Sequence, residues 1–137
     1  MTAEASRGGP VPLTLTGTVL DAPDAGELAA FYVALLGWEV TADEPEWVKL
    51  RAPGGGAALA FQSEPHYRRP VWPTEPGAPA MMSHLDIEAA DLAAAEAHAR
   101  ACGAVPAAYQ PQDDVRVMLD PAGHVFCLWT ATGDASG

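Results

Sequence analysis

Apolar and polar residues alternate along Leu13 to Asp21, LTLTGTVLD, the period-two pattern of a half-buried strand. The period then changes. Beyond the turn residues APDAG, Leu28, Phe31, Tyr32 and Leu35 recur at helical spacing within ELAAFYVALLGWEV, and Gly37 stands where a left-handed residue would end the helix. A strand, a glycine-rich turn and another strand follow in WVKLRAPGGGAALAFQ. The second half repeats the plan. MMSHLDIE is strand-like, Asp91 is a candidate N-cap, LAAAEAHARA is built of strong helix formers, and Gly103 takes the place of Gly37. VRVMLDPAGHVFCLWT then supplies the closing strands around a Pro/Gly turn.

The two glycines set the offset at 66 residues (37 to 103). A period this long, occurring twice, describes a duplicated βαβββ module rather than a solenoid. The expected class is α+β: two tandem modules whose curved sheets surround a shared cleft, with a helix on each outer face. Module one spans 12–62 and module two 81–132, together one domain over 12–132 of the 137 residues, long enough to bury roughly two thirds of the unfolded surface. The intervening 63–80, SEPHYRRPVWPTEPGAPA, holds five prolines and reads as a linker. Its His66, Tyr67, Arg68, Arg69 and Trp72 are either a lid over a pocket or incidental residues of an exposed crossover. The ends, 1–11 and 133–137, are rich in Gly, Ser and Ala and are expected to be flexible.

Charge narrows the partners. With 7 basic residues against 18 acidic ones, the net charge of −11 repels phosphate backbones and anionic lipids, and no Lys/Arg cluster offsets it. Nucleic acid and membrane are therefore excluded as expected partners. Cys102 and Cys127 fall on a helix end and within a strand, a placement of reduced thiols rather than of a disulfide framework. No signal-peptide pattern opens the chain and no apolar run reaches membrane-spanning length. A cytoplasmic protein is expected.

Three stretches carry a family resemblance: ELAAFYVALLGWEV, SHLDIEAADLAAAEAHARACGAV and DPAGHVFCLWT. In order and spacing they resemble the vicinal oxygen chelate superfamily, which contains glyoxalase I, bleomycin-resistance proteins and extradiol dioxygenases. The resemblance covers Leu13 to Ala131. It implies the paired-module fold and, through the fold together with apolar strand edges, a homodimer. Function it implies only broadly, because one scaffold carries isomerases, dioxygenases, lyases and drug binders. In metal-dependent members each module supplies one ligand from its first strand and one from its last. Those positions match His84 and Cys127 in module two, and Thr18, give or take a residue, and Ala60 in module one. Only His84 is of the usual ligand type, whereas catalytic sites need about three protein ligands. No metal and no other cofactor is therefore expected. A rebuilt site using Gln62, Asp86 and a Cys127 thiolate, which would favour a softer metal, is the alternative.

Strand parity divides the remaining residues. Val48, Leu50, Leu59, Phe61, Leu85, Ile87, Phe126 and Leu128 should pack beneath the helices. Trp47, Lys49, Gln62, His84, Cys127 and Trp129 should face the cleft, joined by Arg116 and Met118 from the strand before the last turn. The tryptophans offer stacking surfaces, while Lys49, Arg116, His84 and Gln62 would orient a ligand. The expected function is binding or sequestration of an aromatic or amphipathic organic compound, as in antibiotic resistance or metabolite handling. The alternative is a lyase, isomerase, cyclase or dioxygenase using His84 as acid/base or as a metal ligand. Its natural orienting partner, Asp86, lies two residues along the same strand, about 7 Å away at the backbone, a separation that argues against contact. Ser83 would point to the opposite face, APGGGAA lacks the features of a phosphate loop, and His124 reads as a turn residue.

Overall fold

The computed structural model describes residues 11–131. The expected flexible ends therefore lie outside the described residues, apart from Val11. Module one runs β1 (Gly17–Ala22), α1 (Ala25–Leu36), β2 (Glu39–Glu44), β3 (Trp47–Arg51) and β4 (Ala58–Ser63). Module two repeats the order with β5 (Leu85–Glu88), α2 (Leu92–Cys102), β6 (Val105–Pro106), β7 (Val115–Leu119) and β8 (Val125–Trp129). Each module forms a separate four-stranded sheet, ordered β1-β4-β3-β2 and β5-β8-β7-β6, in which the first and last strands run parallel. The α+β class and the tandem duplication are as the sequence implies.

The helix boundaries follow from local chemistry. The Asp24 side chain accepts hydrogen bonds from the Gly26 and Glu27 amides, and Asp91 accepts one from Ala94, satisfying donors that a helix leaves free in its first turn. Gly37 and Gly103 close the helices at φ 72° and 118°, where a side chain would be strained. The first strand is shorter than its alternation suggests. It begins at Gly17, whose partner Ala58 is the first residue of β4; the Thr16 carbonyl still accepts from the Ala58 amide at 2.9 Å, but the glycine turn before β4 gives residues 11–15 no strand to pair with. Leu13 and Leu15 consequently stand 87% and 78% exposed.

The helices meet over one core. Phe31 and Tyr32 both come from α1. Tyr32 stacks on Phe61 of β4 at 5.4 Å between ring centroids, while Phe31 approaches Phe126 of β8 at 5.8 Å, so side chains of α1 reach from their own sheet to the second one. The alanine-rich α2 adds little bulk, and Ala99 is its one fully buried residue. Among the described residues the buried polar side chain is Asp120, which accepts from the Tyr32 hydroxyl at 2.7 Å and from the Ala122 and His124 amides, each at 2.9 Å. Its carboxylate is thus satisfied by donors from both modules.

The linker is held against this junction. The Tyr67 hydroxyl donates to the Ala122 carbonyl at 2.8 Å and Arg69 donates to the Pro121 carbonyl at 2.9 Å. His124 Nε2 sits 2.7 Å from the Asp21 carbonyl oxygen, so this nitrogen carries the proton and ties the β7–β8 turn to β1. His124 is a turn residue, as its DPAGH context suggests, and also a bond between modules.

Candidate functional site

The face of each sheet turned away from the helices carries most of the residues singled out by parity. In module one, Trp47 pairs across the ladder with Gln62 and Lys49 with Ala60, and such partners share a face. Val48, Leu50, Leu59 and Phe61 occupy the other face and are buried under α1. The Gln62 amide donates to Asp21 Oδ1 at 2.8 Å. Lys49 lines a shallow cavity of about 340 Å³ with Thr41 and Arg51.

In module two, His84, Asp86, Cys127 and Trp129 converge on a cavity of about 320 Å³, completed by Gln112 and Asp114 among others. Asp86 pairs with Cys127 in the β5–β8 register. His84 precedes the first paired residue of β5, and its Nε2 reaches Asp86 Oδ1 at 3.2 Å. This corrects the expectation that the two side chains stay apart. The backbone spacing is bridged by side-chain length once His84 lies outside the ladder. Burial and then the negative charge of Asp86 push the Cys127 thiol above its ordinary value.

Two expected site residues lie elsewhere. The register pairs Val117 with Cys127 and Met118 with Phe126, which turns Arg116 and Met118 toward the helix. Met118 is wholly buried in the core, and Arg116 Nε lies 3.3 Å from Glu96 on α2. The strand pattern VRVML misled here because its one charged residue, Arg116, lies on the helix side, paired with Glu96, while the wholly apolar Val115, Val117 and Leu119 take the other face.

The positions matching His84 and Cys127 in module one also shift. Leu20 faces Phe61 as Leu85 faces Phe126, an offset of 65 residues (20 to 85, 61 to 126) rather than the 66 between helix caps, because the connection entering α2 is longer. Val19, within the one-residue allowance around Thr18, therefore corresponds to His84, Asp21 to Asp86, and Gln62, in place of Ala60, to Cys127. Val19 has no donor atom and the Gln62 amide is already bonded to Asp21. The residues present do not fit the four-ligand metal site of the metal-dependent relatives.

A third cavity, of about 460 Å³, lies beneath the linker between the modules, with Asp21, Tyr67, Arg68, Met81 and His124 among its lining residues. Of the linker cluster, Tyr67 and Arg69 are docked, His66 and Arg68 line this cavity, and Trp72 lies against Tyr109. Burial, then the nearby Asp120 charge, pushes the Tyr67 hydroxyl up to about 12. The Tyr32–Asp120 bond was not visible in the sequence. Its signal was faint: one tyrosine among apolar helix residues, and the aspartate opening a DPAG turn.

Comparison with known proteins agrees with this architecture. The sequence model of one family, described as a glyoxalase-like domain, matches residues 17–129. No curated protein matches significantly. Among solved structures, a glyoxalase/bleomycin resistance protein/dioxygenase family enzyme from Burkholderia phytofirmans PsJN superposes with a TM-score of 0.67 at 18% identity, covering 86% of this chain and 98% of that one. Lactoylglutathione lyase from Agrobacterium tumefaciens gives a TM-score of 0.58 at 18% identity, covering 88% and 96%. TnmS3, an antibiotic binding protein from Streptomyces sp. CB03234, gives 0.55 at 21% identity, covering 88% and 98%. At these identities the likeness is one of fold.

Proposed function

The chain belongs to the glyoxalase-like domain family, within the vicinal oxygen chelate superfamily, and from that premise we propose that it binds a small organic molecule with an aromatic or amphipathic body. The observation that carries this reading is the half-exposed Trp129 beside His84 and Cys127 in an open cavity. A planar ligand stacks on the indole while the imidazole fixes its polar edge. Trp47, Lys49 and Gln62 form the equivalent patch on module one, where the ammonium suits a carboxylate or phenolate. Stacking and hydrogen bonding require no resident metal. The antibiotic-binding neighbour TnmS3 lends support to sequestration as the purpose.

The test is tryptophan fluorescence and thermal melting of the full chain against a panel of aromatic acids, phenols and polycyclic antibiotics. A saturable signal that weakens about tenfold in Trp129→Ala supports the reading, on the scale of one aromatic contact. Absence of any shift across the panel, with turnover of some substrate, overturns it.

The His84–Asp86 contact favours a second reading, a lyase or isomerase with His84 as acid/base, since a carboxylate that orients an imidazole is what such a base requires. Full turnover by His84→Ala would remove it. A homodimer in the cytoplasm belongs to the same proposal. Exposed Val19 and Met82, at 47% and 93%, are apolar surface that a second copy would cover. Sedimentation at micromolar concentration showing only the 14.2 kDa monomer would contradict the dimer. No helix among the described residues is long and apolar enough to cross a membrane.

A further inference from the structure

The cavity of about 460 Å³ beneath the linker has a roof that is tied down. The Tyr67 hydroxyl and the Arg69 guanidinium bind the carbonyls of Ala122 and Pro121, and the Val71 amide donates to the Pro79 carbonyl at 2.8 Å, closing the strap on itself. Trp72 packs against the cluster of Ala107, Val117 and Val125. The cavity is thus preformed by the module junction, and its volume lies in the range of small-molecule sites. It shares no lining residue with the cavities beside Trp129 and Lys49.

Its lining carries charge of both signs over an apolar floor. Asp21 and Glu64 are half-buried carboxylates whose hydrogen bonds come from uncharged donors, the Gln62 side-chain amide and the His66 backbone amide, each at 2.8 Å. Arg68 is the opposing cation. Arg51, Arg100 and Arg116 each reach a glutamate, whereas Arg68 has no carboxylate partner among the described residues. Between these groups Leu20 and Val125 are buried, and Pro70, Pro79 and Met81 are half-buried. The Met81 thioether adapts to branched aliphatic shapes. A ligand with a lone negative charge would meet two carboxylates here, and one with a lone positive charge would meet the guanidinium. A molecule that carries both charges side by side, with an apolar branch, matches each of them and buries the branch.

We propose that the cavity beneath the linker binds a free α-amino acid with a large aliphatic side chain. The carboxylate pairs with Arg68, the ammonium with Asp21 and Glu64, and the side chain lies against Met81, Pro79 and Val125. Arg68 and Glu64 come from the linker, Asp21 from β1 and Val125 from β8, so the site exists only where the modules and the strap meet. The proposal is independent of the reading given to the cavity beside Trp129, and its probes have no aromatic ring to stack on that indole.

The experiment is calorimetric titration of the full chain with L-leucine, and separately with isocaproate and isoamylamine, which are leucine without its ammonium and without its carboxylate. The expected result is one leucine per chain, with each analogue weaker by about tenfold or more, the scale of one charged hydrogen bond. Arg68→Gln should weaken leucine by a similar factor and erase its advantage over isoamylamine. Asp21→Asn should reduce its advantage over isocaproate. Arg100→Gln, which removes an exposed arginine of α2, should leave leucine affinity unchanged. Either analogue binding the wild type as tightly as leucine overturns the proposal. So does leucine binding that survives Arg68→Gln but is lost in Trp129→Ala, which would place the ligand in the other cavity. A wild-type chain that gives no binding heat with millimolar leucine overturns it without any variant having to fold.

Discussion

The two modules share a strand order and a parallel pairing of first and last strands, yet they differ in what each face holds. Module one puts its bulk into the core: Leu28, Phe31 and Tyr32 of α1 are buried, whereas α2 buries only Ala99. On the opposite face the contrast concerns chemistry. Asp21 accepts a hydrogen bond from the Gln62 amide, while Asp86 faces His84 and Cys127. One strand order thus carries most of the buried helix bulk in one half and an imidazole, a carboxylate and a thiol on the open face of the other. Because α1 serves both sheets, neither half is expected to be stable alone.

That last point sets up the largest effect. Phe61→Ala and Phe126→Ala should each cost about 3–5 kcal/mol, and each should lower one cooperative unfolding transition seen by both tryptophan fluorescence and far-ultraviolet dichroism. Two separate transitions would show that the modules fold independently.

Next is the bond that crosses between them. Asp120→Ala would orphan the Tyr32 hydroxyl and two backbone amides, at about 1–3 kcal/mol for an unsatisfied buried group. The pH dependence sharpens this. Burial raises the Asp120 carboxyl above its ordinary value, with the Tyr32 bond and the His124 charge opposing in part. A raised acid favours the folded state when protonated. Its contribution should be fully present below the unfolded-state pKa and lost as pH rises through the folded one. Urea unfolding of the wild type relative to Asp120→Asn should therefore show the difference in stability falling as pH rises across that interval. A difference that grows with pH would mean the three donors outweigh burial.

Tyr67→Phe removes the hydroxyl that pins the linker to the Ala122 carbonyl and should cost about 1 kcal/mol. Proteolysis within 63–80 should speed up accordingly. An unchanged cleavage rate would leave the linker held by Arg69 and packing alone. The smallest effect concerns Arg116. Arg116→Met removes a partly exposed ion pair with Glu96, worth less than about 1 kcal/mol, and should leave organic-ligand affinity unaltered. Weakened ligand binding would instead return Arg116 to the site.

Much of this was legible in the chain. Helix ends were marked by Asp91, Gly37 and Gly103 because capping is local chemistry that one residue performs on its neighbours. The core and open faces of β3, β4 and β8 followed from alternation because each of these strands has one markedly more apolar face. β7 broke the rule. In VRVML the one polar residue, Arg116, lies on the helix side, where Glu96 pairs with it, and only the pairing of Val117 with Cys127 shows that Arg116 and Met118 turn inward. The metal-type correspondence slipped for a similar reason, since counting from helix caps carries loop length into a register that hydrogen bonds decide.

Sequence alone determined the class of fold, the duplication, the places where helices begin and end, and the membership of Trp47, Lys49, Gln62, Cys127 and Trp129 on the faces away from the helices. These are consequences of periodicity and short-range bonding. Tertiary structure decided that Phe31 of α1 reaches Phe126 in the second sheet, that Tyr32 meets Asp120 across 88 residues, that His124 ties to Asp21, and that His84, Asp86 and Cys127 share a few ångströms. Each of those depends on two strands or two modules arriving together, and no single stretch of chain encodes the distance between them.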